Sequence, residues 1–240
     1  MVRGVLFDLD DTLFDHHRSA SAALARVHAL FAESVAFDEF ERHHTRYLEE
    51  MHVEVLAGRV GLDEARCERF RRVFAALGLD LTEAQTWEAA AAYRSGYLSE
   101  RRPMAGAAEL LAAVHAHARI AVVSNNLLEE QRDKLQVCEL DRFVDALVVS
   151  EETGISKPDP RIFQIALERL GVAAANAVMI GDSWAADIVG AQAAGIRAIW
   201  FNPQRNPRPA AAGDVEEISS LIPVDRVLPV LFDTLRPVDR

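Results

Sequence analysis

Asp8 and Asp10 follow directly on the apolar run Val5-Leu6-Phe7 and sit two residues apart. On an extended chain that spacing sends both carboxylates off one face. Two carboxylates about 4 Å apart repel by roughly 4 kcal/mol at an effective dielectric near 20. A strand end carrying such a pair needs a cation, a shared proton or open water. Three further stretches carry matching chemistry: Ser124-Asn125, Lys157 in the loop Gly154–Pro158, and Gly181-Asp182-Ser183 followed by Asp187. Each alone has an ordinary structural use, as a helix cap, a loop lysine, a tight turn or an exposed helical acid. Together they supply a carboxylate pair, a hydroxyl, an ammonium and a second carboxylate pair. Carboxylates gathered at one point suit a hard dication such as Mg²⁺. A hydroxyl and an ammonium beside it hold the oxygens of a phosphoryl group. One carboxylate of a pair can attack phosphorus to give an aspartyl-phosphate, and the other can carry the proton.

The elements that must position these residues are legible in outline. Val5–Phe7 reads as a strand buried on both faces at the centre of a parallel sheet. Residues 15–102 contain no strand-like run; helical spacing at Leu24, Val27, His28 and Phe31, and at Phe70, Phe74 and Leu77, predicts a four-helix bundle. Thr82 with Gln85 has capping-box spacing for the last of these helices, running to Ser99. From Pro103 the pattern alternates: helix 107–117, strand 119–124, helix 126–137, strand 145–150, helix to Leu170, strand 177–180, helix 184–194 and strand 196–201. Asp159-Pro160 opens the helix to Leu170 as a cap followed by proline in the first turn. Val215–Leu235 reads as a final helical segment interrupted at Pro223 and Pro229. The expected fold class is therefore α/β, a Rossmann-like parallel sheet core of residues 1–14 and 103–240 with a helical bundle, 15–102, inserted after the first strand. In such sheets ligands bind beyond the carboxyl ends of the strands, where all four stretches fall.

Composition narrows the class. The 240 residues are 50% hydrophobic and 26% charged, the balance of a soluble globular chain. A formal net charge of −11 argues against nucleic-acid and anionic-membrane partners. Cys67 and Cys138 have no metal-ligand spacing and are expected as reduced thiols of a cytoplasmic protein. No apolar run reaches the length of a membrane span. Lys134 and Lys157 are the only lysines among 26 basic residues, and a lysine that survives such an arginine bias marks a place for a compact ammonium.

The four stretches resemble the four motifs of the haloacid dehalogenase-like (HAD) superfamily in its phosphatase branch. Asp8, Asp10 and Thr12 match the first motif, Ser124 the second, Lys157 the third, and Asp182 with Asp187 the fourth. The resemblance implies Asp8 as nucleophile and Asp10 as general acid/base. It implies Ser124 as a phosphoryl-binding hydroxyl, grouped with Thr12, Asn125 and Lys157 as phosphate or substrate contacts. Lys157 would also steady the nucleophile. Asp182 would ligate Mg²⁺, Asp187 would ligate it or orient its water, and Asp8 with the backbone carbonyl of Asp10 would complete the protein's share of the shell. Dehalogenases of the superfamily lack a carboxylate two residues after the nucleophile, so Asp10 points to phosphoryl chemistry. The bundle's position resembles the cap of subfamily-I members.

The expected reaction is hydrolysis of a small phosphorylated metabolite by a monomer or homodimer. Phosphotransfer or mutase chemistry on the same residues is the alternative. Asp11 and Phe14-Asp15 resemble members acting on nucleoside monophosphates, with phosphorylated sugars or acids such as phosphoglycolate still open. His16 and His17 fall near the bundle's hinge, while His43-His44 and His115/His117 read as solvated helix faces.

Overall fold

The computed structural model describes residues 3–209 and 213–232. Strand β1 (Gly4–Phe7) leads into helices α1 (His16–Phe31), α2 (Phe37–Leu56), α3 (Leu62–Ala76) and α4 (Glu83–Ser99). Alternation follows: α5 (Ala107–His115), β2 (Arg119–Ser124), α6 (Leu128–Val137), β3 (Ala146–Val149), the single turn α7 (Ser150–Thr153), α8 (Pro160–Leu170) and β4 (Ala177–Gly181). Then come α9 (Val189–Ala193), β5 (Arg197–Phe201), β6 (Glu216–Ile218) and α10 (Val224–Phe232). The chain divides into two compact units, one of His16–Arg101, the other of the described residues up to Asp15 and from Arg102 onward.

The second of these is an α/β unit with one parallel sheet in the order β3-β2-β1-β4-β5-β6. β1 is central because all four of its residues are buried, which only a strand covered on both faces tolerates. Its register sets Phe7 beside Val122 of β2 and Ile180 of β4. The strand order reverses at β1, so the crevice beyond its carboxyl end is the switch point where ligands bind in such folds. Asp159 caps α8, its side chain accepting from the Arg161 N–H, with Pro160 in the first turn.

Two local expectations need correction. Within Val215–Leu235 the first ordered element is a strand: Ile199, Trp200 and Phe201 of β5 pair with Glu216, Glu217 and Ile218. Three residues, two of them charged, carry no readable period, and the open edge of β5 supplies the partner. The helix begins only at Val224 and contains Pro229; residues 233–235 lie outside the described residues. The helix expected over 184–194 starts as a π-helical turn, Trp184–Ile188, before α9.

In the helical unit α1 pairs with α4 and α2 with α3. Gly96 permits the first pairing, since a Cβ there would stand 3.1 Å from the Ala23 Cα. Phe70, Phe74 and Phe40 stack through the middle, with centroids 5.9 and 6.2 Å apart along the series. The Thr82–Gln85 capping box is complete in both directions. His44, read from sequence as solvated, is instead buried between the rings of Phe70 and Tyr93, at 5.4 and 5.1 Å. Adjacent Arg69 is also buried, over the Tyr93 ring at 4.7 Å, so this bundle interior mixes aromatic and cationic groups. Burial first, and the Arg69 charge second, pull the His44 pKa well below its ordinary value.

Candidate active site

The sequence runs from β1 into the site without a break. Asp8 extends the strand, its N–H donating to the Ile180 carbonyl at 2.9 Å. Leu9 then accepts from the N–H groups of Thr12, Leu13 and Phe14, closing a tight turn. Asp11 takes φ of 62° in this turn, a left-handed conformation that aspartate tolerates better than most side chains. The turn brings the buried Thr12 to the β4 loop, where Thr12 Oγ1 donates to Asp182 Oδ1 at 3.4 Å.

Lys157 is the electrostatic hub. Its Nζ donates to Asp8 Oδ1 at 2.5 Å and to Asp187 Oδ1 at 2.7 Å, with all three side chains almost fully buried. The Lys157 backbone is clamped by Asn125, whose Oδ1 accepts from its N–H at 2.7 Å and whose Nδ2 donates to its carbonyl at 2.8 Å. Asn125, expected as a substrate contact, thus holds a loop in place. Asp187 reaches Lys157 because Gly181, at the end of β4, has no side chain in the way. A Cβ on that glycine would fall 2.3 Å from Asp187 Oδ2. Ser183 donates its N–H to the same oxygen at 3.0 Å, and Trp200 Nε1 donates to the Asp182 carbonyl at 2.8 Å.

One carboxylate oxygen each from Asp8, Asp182 and Asp187 lie within 4.8 Å of one another. Burial, then the charges of Asp187 and Asp11, push the Asp182 pKa up to about 7. Burial likewise raises Asp8 well above the usual carboxylate range; Lys157 opposes this, while Asp187 and Asp182 add to it. For Lys157 burial works against the charge, but Asp187 and Asp8 outweigh it and hold the ammonium on. Among the described residues these three carboxyl groups stand around one ammonium, Lys157, so ionising all three leaves the site with an excess of negative charge. An all-oxygen donor set with raised carboxylate pKa values is what a hard divalent cation fits.

Asp10 and Ser124 join the site through α6. Asp10 Oδ1 accepts from Lys134 Nζ at 2.5 Å, and Oδ2 accepts from Gln131 Nε2 at 2.9 Å and Asn126 Nδ2 at 3.3 Å. Gln131 Nε2 also donates to Ser124 Oγ at 2.5 Å. Sequence reasoning assigned none of Asn126, Gln131 and Lys134 to the site. The one signal was the rarity of lysine: both lysines of the chain lie here.

A parallel α/β sheet bearing these acids, hydroxyl and lysine at its switch point defines a hydrolase class. A family model described as haloacid dehalogenase-like hydrolase matches residues 2–195, and the chain belongs to that family. Ribulose-1,5-bisphosphate 5-phosphatase of Halopiger xanaduensis is 32% identical over 222 residues, 89% of this chain and 90% of that protein. Pyrimidine 5'-nucleotidase YjjG of Escherichia coli is 34% identical over 127 residues, 52% of this chain and 56% of the relative. The crystal structure of the HAD-hydrolase YfnB of Bacillus subtilis, bound to magnesium, is similar with a TM-score of 0.73. It is 25% identical, covering 95% of this chain and 98% of that one.

Proposed function

We propose that the chain is a Mg²⁺-dependent phosphomonoesterase that hydrolyses a small phosphorylated metabolite through an aspartyl-phosphate on Asp8. The observation that carries this reading is Lys157 bridging Asp8 and Asp187 in a dry pocket with Asp182 alongside. Asp8, Asp182 and the backbone carbonyl of Asp10 would hold the ion. Both oxygens of Asp187 are engaged, by Lys157 and the Ser183 N–H, which favours an orienting role for it. When bound, Mg²⁺ would offset the excess negative charge of the acids and the phosphoryl group.

The chain's own groups then divide the work. Lys157 fixes the Asp8 carboxylate and shares charge with a phosphoryl oxygen, while the Ser124 hydroxyl donates to another. An Asp8 oxygen bonds to phosphorus as the phosphorus–leaving-group bond breaks, and Asp10 gives its proton to the departing oxygen. Asp10 then takes a proton from water, whose oxygen bonds to phosphorus and releases phosphate and free Asp8. The relatives named for phosphorylated sugars and for nucleotides support a small phosphomonoester and leave its organic part to experiment.

The test is a panel of nucleoside monophosphates and sugar and acid phosphates, assayed with Mg²⁺ and with EDTA. Free phosphate released in step with substrate loss, abolished by EDTA and by Asp8→Asn in a folded variant, is the expected result. Retained turnover in Asp8→Asn removes the nucleophile assignment. Phosphate passing to a second organic acceptor without release indicates a transferase.

A further inference from the structure

We propose that Lys134 and Gln131 are positioning residues that fix the direction of Asp10 and Ser124 for proton delivery to the leaving group. This rests on the reading of Asp10 as general acid. The two side chains lie a turn apart on one face of α6, and both are buried although α6 is otherwise a polar helix. Burying an ammonium and an amide is costly unless both are engaged. Their engagement is with two reacting groups. Lys134 holds Asp10 Oδ1, and Gln131 with Asn126 holds Oδ2, so donors grip the carboxylate at both ends. Lys134 Nζ also stands 5.2 Å from the Phe14 ring centroid, tying α6 to the far end of the Asp10 turn.

Gln131 has a second consequence. Its Nε2 donates into Ser124 Oγ, so a lone pair of that hydroxyl is occupied and its own proton must point elsewhere. The free direction serves a phosphoryl oxygen. Gln131 thereby couples the orientation of the acid to that of the phosphate-binding hydroxyl. Its Oε1 is buried with no partner among the described residues, which marks a side chain placed for its N–H groups.

The test uses the intact protein and two esters, 2,4-dinitrophenyl phosphate, whose leaving group departs without a proton, and a simple alkyl phosphate, whose leaving group needs one. The ratio of the two kcat/KM values reports phosphoryl transfer to Asp8 and, taken on one preparation, is independent of the fraction folded. General acid catalysis contributes about 10²–10⁴-fold. Lys134→Met is expected to shift the ratio against the alkyl ester by about 10²-fold, the lower end of that range, and Gln131→Leu by about 10-fold, a partial loss of that contribution. Ratios in both variants equal to wild type would overturn the inference while the phosphatase reading stands. A wild type inert toward both esters would sink that reading and this inference with it.

Discussion

The charge state of Asp182 depends on what fills the site. It titrates from 3.8 in the unfolded chain to about 7 in the fold. Between those values the folded form holds a proton that the unfolded form lacks, so metal-free stability falls as pH rises through that window. Mg²⁺ competes for the same oxygens. The melting-temperature increment from Mg²⁺ over EDTA should therefore be small at pH 5 and grow through neutrality to pH 8. An increment flat with pH would contradict Asp182 as a ligand. Lys157→Arg is expected to lose most activity despite keeping charge, because a planar fork cannot replace one Nζ shared between Asp8 and Asp187. Near-normal kcat would refute that. Gly181→Ala should cost about 1–3 kcal/mol in denaturant unfolding, as the added methyl overlaps Asp187.

At the scale of elements, His44 makes the helical unit acid-sensitive. Its folded pKa lies well below 6.5, so under acid the unfolded chain takes up a proton that the folded one refuses, and stability is lost as pH falls below 6.5. His44→Phe should raise melting temperature at pH 5 relative to wild type, with the gain shrinking by pH 8. An unchanged difference across that range would place the titration elsewhere. His44 also shows where sequence reading stopped. The Thr82–Gln85 box, the Asp159-Pro160 start and the β1 acids were legible because local chemistry alone dictates them. Which face of α2 or α6 turns inward depends on neighbours remote in sequence, so the buried His44 read as solvated, and Gln131 and Lys134 were not assigned to the site. β6 was illegible for the same reason, since its order comes from β5.

At the scale of the molecule, the α/β unit carries its own clasp where the chain leaves and returns. The Asp15 N–H donates to the Arg102 carbonyl at 3.1 Å, and the Arg102 guanidinium grips Asp15 Oδ2 at 3.0 and 2.9 Å. Replacing residues 16–101 by a short Gly-Ser linker should leave a cooperatively melting α/β protein that still responds to Mg²⁺, checked by calorimetry. A non-cooperative melt would show that the sheet needs the helices. The scarcity of lysine carries a different consequence. Side chains of Lys134 and Lys157 are 4% and 3% exposed, and every other basic residue is arginine. Acylating reagents such as succinimidyl esters thus meet no accessible lysine on the native protein, whereas arginine-selective dicarbonyls meet many. Any acylation of those two amines would report transient exposure of the candidate site.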